Sequence, residues 1–321
     1  MRSRVYYLFY RFIREDRNEI SPDLAVSLLE GIRDLLAIEV ELPESENPES
    51  QDILSEAVAA STMFDAQLYV FEAAGTLVSL LHKTPERAAA MLLSVVQPLL
   101  DDLSVSLQAV KGPEDALPIL RVHHIIMALG NVAKGFPEYP NPVPEGYIAP
   151  PLDVFREVGQ AVLVCLKAMN VFRVVRDAVS RSSRYEIPVL MLCVLQTRFA
   201  FARILATTGS TVADLIPTLM ANLLAHFEPS ELIDFMNFIG LSIHKLQQDM
   251  LDVLDQLIGP LSTHINGILA QPVTGTDDQV VHVDTKRAYL GLLISIISSK
   301  LHTVFISDST PYHRPVFHSM H

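Results

Sequence analysis

The sequence predicts an all-α protein, a superhelix or solenoid of HEAT or armadillo-type helix pairs, and three observations support this. Apolar residues recur at helical spacing, as Val5, Phe9 and Phe12 do near the N-terminus. No sustained stretch alternates apolar and polar residues with the period of a half-buried strand. Half of the 321 residues are apolar, only 19% are charged and the mean hydropathy is +0.30, which suits helices that bury two faces against their neighbours.

Polar capping residues and prolines mark where the helices begin. Ser21 followed by Pro22 combines an N-cap side chain with proline at the first helical position, and Thr84 followed by Pro85 repeats the combination. The predicted helices run, in chain order, from Pro22 to about Ile38, from Pro85 to about Val110, from Gly112 to about Phe136, and onward from starts at Leu152, Pro188 (to about Thr207), Ser210, Pro229, Asp249 and Asp284.

Two internal segments are predicted to be loops. Residues 39–52 concentrate Glu, Pro and Asn and indicate an exposed acidic loop. Residues 135–151 hold six prolines, too many for a regular element because proline lacks an amide donor and fixes φ. The helices recur as pairs in about 40–47 residues, the period of HEAT and armadillo repeats. We therefore expect one solenoid of about five to six helix pairs over residues 1–306, followed by an irregular tail over residues 307–321.

Glycines recur in the middle of the predicted helices. Residues 72–78 resemble residues 127–133, so that Gly75 corresponds to Gly130, and Gly240 and Gly291 also stand within helices. A glycine there costs up to about 1 kcal/mol in helix propensity. In a solenoid it can let the neighbouring helix approach closely, which is the role expected for these positions.

The sequence indicates no catalysis, metal site or cofactor. It contains no phosphate-binding glycine loop, nucleophile elbow or zinc spacing. His123 and His124 are adjacent and point to different helix faces, so they cannot form the i, i+4 pair of a helical metal site. Cys165 and Cys193 are expected to be buried and reduced. We expect no secretory signal and no membrane insertion, since the longest apolar block covers less than half of the roughly 20 residues a span needs.

The net charge of −13 argues against a nucleic-acid partner, but the charge is distributed in blocks. Residues 34–72 contain ten carboxylates and no Lys or Arg, whereas residues 154–213 contain eight basic and three acidic residues. Residues 214–284 contain ten carboxylates, and Lys245 is the only Lys or Arg among them. A local basic surface is therefore compatible with the acidic total.

Three blocks of the chain resemble the exportin-T family, the tRNA exportins of the karyopherin-β superfamily. Residues 3–14 read Ser-Arg-Val-Tyr-Tyr-Leu-Phe-Tyr-Arg-Phe-Ile-Arg, similar to the family's Ser-Arg, Tyr-Leu-Phe and Arg-Phe pattern. Residues 65–75 read Asp-Ala-Gln-Leu-Tyr-Val-Phe-Glu-Ala-Ala-Gly, and residues 286–290 read Lys-Arg-Ala-Tyr-Leu. The blocks follow the family's order, and family members are several times longer. The chain thus resembles an interior-to-late portion and is expected to be a partial or truncated form.

The resemblance implies a HEAT superhelix that binds mature tRNA cooperatively with Ran-GTP in the nucleus and releases it in the cytoplasm. It also implies contact with nuclear pore proteins and shuttling through the pore. The repeats that bind Ran in karyopherins are expected to lie mostly outside this chain. The alternative is a HEAT-repeat scaffold or importin-like adaptor that binds basic protein segments and no RNA.

Basic side chains at helical spacing are the candidate tRNA contacts, because shape-based recognition of an RNA backbone needs Lys and Arg near the phosphates. The first group lies on one side of the N-terminal helix, and the second forms a polar stripe with Asn131 on a helix expected to line the concave surface. The third belongs to the densest basic group and is compatible with one helical side, and the last begins a helix. The candidates are Arg4, Arg11 and Arg14; Arg121, His124 and Lys134; Arg173 and Arg176; and Lys286 and Arg287.

Each group also has a structural interpretation. A charged helix side is commonly a solvated flank, which applies to the first, second and last groups. Arg173 and Arg176 belong to a dense basic group with Arg181 and Arg184. Pairing with acidic neighbours such as Asp177 is an equal alternative to RNA contact for this group. The acidic loop is expected to be a solvating linker, the alternative being contact with a basic partner such as Ran.

Overall fold

The computed structural model describes residues 2–42, 57–58, 60–112, 115–179, 199–224 and 229–306, with the backbone alone at 169–179, 220, 222–224 and 229–231. Every regular element within these ranges is helical, which confirms the all-α prediction. The chain divides into two compact units, Met1–Thr208 and Gly209–His321.

In the first unit, helices α3 (Thr62–Ser79) and α5 (Ala116–Lys134) form the core. Helix α1 packs on α3, α3 packs on α5, and α4 and α6 pack against each other and against α5. Nearly all of the residues of α5 from Ile119 onward are buried. The helices are α1 (Arg2–Glu15), α2 (Pro22–Gly31), α3 (Thr62–Ser79), α4 (Pro85–Ala109), α5 (Ala116–Lys134), α6 (Leu152–Val179) and α7 (residues 199–208).

Helices α3 and α5 approach each other closely where they cross, and the residues at the point of contact are glycines. A Cβ at Gly75 would overlap the carbonyl group of Val132, and a Cβ at Gly135 would overlap the backbone of α3. The close approach expected of mid-helix glycines therefore occurs here. At Gly291 the close approach is not found, because no atom of a neighbouring described helix lies within 4 Å of the Cβ position.

Helix α2 begins as the sequence predicts and ends earlier. The Ser21 hydroxyl accepts a hydrogen bond from the Leu24 amide at 3.3 Å, which is the predicted N-cap. The helix stops at Gly31 and a short 3₁₀ turn follows, instead of continuing to Ile38. The Gln67 amide donates to the carbonyl oxygens of Leu35 and Ala37, both at 2.7 Å, so that α3 supplies the partner a longer helix would have provided.

The second unit is built around α9 (Pro229–Leu246) and α11 (Thr276–Ser298), which pack along each other. Its α-helices are α8 (Ile216–Leu224), α9 (Pro229–Leu246), α10 (Leu251–Leu269) and α11 (Thr276–Ser298). A 3₁₀ turn at Gly209–Leu215 precedes α8, one at Gln247–Met250 joins α9 to α10, and one at His302–Phe305 follows α11. Helix α11 starts at Thr276, eight residues before the predicted start at Asp284. The Asp278 carboxylate accepts a hydrogen bond from the Thr274 amide at 2.9 Å, which stabilises the earlier start.

Three described stretches are long and apolar enough to cross a membrane by length and composition alone: Pro85–Ala109, Ala116–Lys134 and Phe199–Leu219. The expectation of no such run rested on unbroken apolar blocks, and these stretches contain scattered polar residues. Within Ala116–Lys134, 72% of the apolar window is buried inside the protein. That the chain does not insert into a membrane stays a prediction.

Several expectations fall outside the described residues. They concern most of the acidic loop (43–56), the helix start at Pro188, and the tail 307–321. Residues 136–151 of the predicted proline-rich loop lie within the described part and form bends and turns rather than a helix. The loop is tied to α7 by a hydrogen bond from the Tyr139 amide to the Ala206 carbonyl oxygen at 2.7 Å.

Candidate nucleic-acid interface

Helix α1 uses a different face for packing than its apolar spacing predicts. Val5 and Phe12 are about half exposed, whereas Tyr10 and Ile13 are buried. The Tyr69 ring of α3 lies 5.4 Å from the Tyr10 ring, measured between centroids. The tyrosine face is preferred because the Tyr10 hydroxyl finds a buried acceptor on α3, so that both its ring and its polar end are satisfied.

That acceptor is Glu72, which is only 7% exposed. The Tyr10 hydroxyl donates to Glu72 Oε1 at 2.9 Å, and Lys134 Nζ lies 2.6 Å from Glu72 Oε2. Arg14 Nη1 in turn donates to the Tyr10 hydroxyl at 3.0 Å. A buried carboxylate is stable only when it is paired and hydrogen-bonded. Glu72 of α3 therefore connects to α1 through Tyr10 and to α5 through Lys134, and Arg14 joins this network through the Tyr10 hydroxyl.

Burial raises the pKa of Tyr10, and the hydrogen bond to Glu72 raises it further. The hydroxyl is consequently protonated over the physiological range and serves as a donor to the carboxylate. Arg14 and Lys134 lie at the protein surface, with part of their hydrogen-bonding capacity directed inward.

Arg121 also has an internal partner. Its Nε donates to both carboxylate oxygens of Asp102 on α4, at 2.8 and 2.9 Å. The pair is partly exposed, so it joins α4 to α5 at the edge of the core. The guanidinium has five N–H donors, and one of them is engaged in this contact.

The prediction that His124 belongs to an exposed polar stripe is wrong. His124 is 2% exposed, and its ring stacks on Phe64 with a centroid distance of 3.7 Å. Asn131 of the same predicted stripe is also buried and donates to the Met127 carbonyl oxygen. The reason is that α5 is packed on opposite sides by α3 and α4, so the face opposite its apolar stripe is inside the core as well.

His123 and His124 also contact one another, which the assignment to different helix faces did not anticipate. Their Nδ1 atoms lie 3.1 Å apart, so that one ring donates and the other accepts. Burial lowers the pKa of His123 to about 4; burial and then the neighbouring His123 lower that of His124 to about 3. Both rings are neutral near pH 7 and offer no charge to a phosphate.

On α1, Arg4 and Arg11 remain on the exposed surface. Arg11 Nε lies 2.7 Å from Glu15 Oε1 in a pair whose side chains are both more than half exposed. Within the described part of the chain, the Arg4 side chain makes no hydrogen bond or ion pair. The two arginines are seven residues apart and therefore lie on the same side of the helix.

In the second unit, Lys286 and Arg287 are exposed on α11. Arg287 Nη1 lies 2.9 Å from Asp284 Oδ1, an exposed pair within one turn of the helix. Arg173 and Arg176 lie on the last turns of α6, where the side chains are outside the described part. Arg181 and Arg184 lie wholly outside it.

The helices described above pack against one another without an intervening strand in the described ranges, which places the protein in the class of all-α, HEAT-like solenoids. Comparison with known proteins gives the family. Residues 1–320 match the family model of Exportin-T, and the chain belongs to the exportin-T family.

Curated relatives agree with this assignment. Exportin-T of Laccaria bicolor is 62% identical over 308 residues, which cover 96% of this chain and 27% of the relative. Exportin-T of Coprinopsis cinerea is 51% identical over 309 residues, with the same coverage. Exportin-T of Mycosarcoma maydis is 37% identical, covering 95% of this chain and 26% of the relative. The chain thus spans about a quarter of the length of these relatives.

Proposed function

We propose that this chain is part of a nuclear export receptor for tRNA. The receptor binds tRNA together with Ran-GTP in the nucleus, passes through the pore by contact with nuclear pore proteins, and releases its cargo in the cytoplasm. The observation that carries the proposal is the match to the Exportin-T family over residues 1–320. The mechanism is binding and release, without a covalent step. Most of the Ran contact is assigned to the part of the receptor that lies outside this chain.

Within this chain we assign the first phosphate contacts to the side of α1 that carries Arg4 and Arg11. Exposed ion pairs such as Arg11–Glu15 contribute little to stability, because water screens both charges. A phosphate can therefore take the place of Glu15 at little cost. Arg4 supplies a second cation on the same side, about 10 Å along the helix by a rise of about 1.5 Å per residue. This spacing suits contacts to separate phosphates of one RNA backbone.

Arg14, Arg121 and Lys134 form a second rank of candidates. Each already holds a partner inside the protein, and each keeps N–H donors that point away from it. A phosphate near Lys134 would share the ammonium with Glu72 instead of meeting an unpaired charge. We therefore expect these residues to contribute less to tRNA affinity than Arg4 and Arg11, and more to stability.

The test is a tRNA titration followed by fluorescence anisotropy, at about 50 mM and about 200 mM salt, with and without Ran-GTP. Binding that weakens steeply with salt and strengthens with Ran-GTP supports the proposal. The variant Arg4→Gln/Arg11→Gln should weaken binding, whereas Arg33→Gln, which removes an exposed arginine of the 3₁₀ turn after α2, should not. A folded chain that binds no tRNA at the lower salt contradicts the proposal for this part of the receptor.

The alternative function, a HEAT-repeat scaffold or importin-like adaptor, is favoured by the net charge of −13. Such a protein would bind basic peptide segments in preference to tRNA. The same titration with a labelled poly-lysine peptide in place of tRNA separates the two functions. Tight peptide binding without tRNA binding supports the adaptor.

A further inference from the structure

The first unit contains a cavity of about 500 Å³ between the turn that joins α3 to α4 and the proline-rich loop. Its lining comes from the end of α3, the start of α4 and residues 136–151. The volume lies within the range of about 300–1,000 Å³ that is typical of small-molecule sites. None of the candidate RNA contacts lines this cavity, so the proposed export function does not account for it.

The loop forms a stiff wall of the cavity. Residues 135–151 hold six prolines, each of which fixes its own φ. The Tyr139 amide donates to the Ala206 carbonyl oxygen at 2.7 Å, which ties the loop to α7. The Tyr147 ring packs edge-on against the Tyr139 ring, with their centroids 5.6 Å apart. The cavity is therefore formed before a ligand enters, and binding costs little ordering of the chain.

The floor of the cavity is apolar. Val78, Ala88 and Phe136 line it and are 0%, 3% and 7% exposed. Ile148 of the loop also lines the cavity and is 42% exposed, so that apolar surface stays open to solvent. An apolar ligand that displaces water from such a lining gains free energy in proportion to the area covered. The cavity thus favours a ligand with an apolar body.

The rim of the cavity carries positive charge. His82 and Lys83 line the cavity and are exposed, whereas none of the described lining residues is Asp or Glu. Within the described part of the chain, the Lys83 side chain makes no hydrogen bond or ion pair. An ammonium group at the edge of an apolar cavity complements an anionic group on the ligand.

The other polar groups of the lining exclude a highly polar ligand. The Ser79 hydroxyl already donates to the Thr76 carbonyl oxygen at 2.7 Å, and His82 Nδ1 lies 3.3 Å from the Ser79 carbonyl oxygen. Burial, and then the neighbouring Tyr139, raise the pKa of Tyr147, so its hydroxyl is protonated near pH 7. A sugar or nucleobase would leave several of its polar groups unpaired in such a cavity.

We propose that this cavity binds a small apolar carboxylate, with its hydrocarbon body against Val78, Ala88 and Phe136 and its carboxylate beside Lys83. The ligand would connect the turn between α3 and α4 to the proline-rich loop, and would stabilise the first unit without touching the arginine side of α1. The proposal goes beyond tRNA export and holds or fails independently of it.

The test compares two probes by isothermal titration calorimetry, 1-naphthoate and its neutral analogue 1-naphthalenemethanol. The parent chain should bind the acid about three- to fivefold more tightly than the alcohol, the effect of one partly exposed ion pair. Lys83→Gln should remove this preference and leave alcohol binding unchanged. The matched control is Lys111→Gln, which removes an exposed lysine just beyond the other end of α4 and should change neither affinity.

Two further variants locate the ligand. Ala88→Leu and Ala149→Leu place a larger side chain in the lining, from α4 and from the loop, and both should abolish binding of the two probes. Ala149 is only half-buried, so its variant tests the site even if Ala88→Leu does not fold. Saturating acid should also raise the melting temperature of the parent chain and not that of Ala149→Leu.

A folded parent chain that binds no 1-naphthoate up to its solubility limit would overturn the proposal. Equal affinities for acid and alcohol would also overturn it, as would binding that survives Ala149→Leu. Preference for N-acetylphenylalaninamide over the acid would do the same and would assign the cavity to a peptide side chain.

Discussion

Lys134 Nζ lies 2.6 Å from Glu72 Oε2, so that a lysine expected to face RNA is paired with a carboxylate in the core of the first unit. The other oxygen of Glu72, Oε1, accepts a hydrogen bond from the Tyr10 hydroxyl. The two contacts bring α1 and α5 to the same residue of α3. They make the position of α1, and with it the positions of Arg4 and Arg11, depend on Glu72.

Glu72→Gln should destabilise the protein by about 1–3 kcal/mol, because it leaves Lys134 facing a neutral amide and weakens the acceptor of Tyr10. The estimate lies below the cost of breaking a fully buried pair, since the Lys134 side chain is 36% exposed. Chemical denaturation measures the loss. Tyr10→Phe should cost about 1 kcal/mol. The double variant should lose less than the sum of the two, and strict additivity would argue against a shared network.

Lys134→Gln alone cannot distinguish an RNA contact from a structural one, because it leaves Glu72 unpaired. We therefore predict the outcome of Glu72→Gln/Lys134→Gln, which removes both charges. Its stability should exceed that of either single variant. If Lys134 contacts a phosphate, the double variant still binds tRNA more weakly than the parent chain. Recovery of full tRNA affinity would remove Lys134 from the interface. Anisotropy titrations on variants of verified fold give the comparison.

The Arg4→Gln/Arg11→Gln variant should change the salt dependence of tRNA binding as well as its affinity. Each phosphate contact contributes about one unit to the slope of log affinity against log salt concentration. Losing two contacts should lower the slope by about two, with little change in thermal stability, because both side chains are exposed. An unchanged slope would show that this side of α1 is a solvated flank.

Acidification should destabilise the first unit through His123 and His124. Their folded-state pKa values of about 4 and about 3 lie below the unfolded value of about 6.5. Their contribution to the free energy of unfolding is therefore fully present above about pH 6.5. It is lost as the pH falls, since the unfolded chain takes up protons that the folded chain excludes. Between pH 7 and pH 5 the loss should reach at least about 1 kcal/mol.

The variant His123→Leu/His124→Phe should flatten this pH dependence, measured by denaturation at several pH values. His82→Gln, which removes an exposed histidine, should leave it unchanged. Parallel profiles for the parent chain and the double variant would contradict the role of the buried pair.

Glycine substitutions should separate a tight helix crossing from an open surface. Gly75→Ala should destabilise the protein by several kcal/mol at the order-of-magnitude level, since its methyl group would overlap the backbone of α5. Gly291→Ala should stabilise this chain by up to about 1 kcal/mol through helix propensity. Melting temperatures of the two variants provide the measurement. A neutral Gly75→Ala would mean that α3 and α5 can separate without cost.

Much of the helical architecture could be predicted from local signals. Helix starts are predicted by the chemistry of single turns, at Ser21 with Pro22 and at Thr84 with Pro85. The structure has helices starting at both places. The end of α2 and the start of α11 could not be predicted, because they depend on hydrogen bonds from Gln67 and to Asp278 that a propensity pattern does not weigh.

The candidate site was harder to predict, because the apolar spacing on α1 indicates the face of Val5, Phe9 and Phe12 and does not say which face has a partner. Tyr10 counts weakly in a hydrophobic pattern, yet Glu72 makes its face the buried one. For His124 the pattern showed a polar stripe, and only the packing of α5 on both sides reveals that this stripe is interior. The exposed arginines of α1 required no tertiary information.

The glycine-lined crossing of α3 and α5 has a mechanical consequence. At Gly75 and Gly135 backbone meets backbone without an intervening side chain, so at that point of the crossing no rotamers can readjust as the helices slide. Shear between packed helices depends on such readjustment. This point of the crossing therefore resists sliding, and flexing of the first unit has to be taken up by other helix contacts.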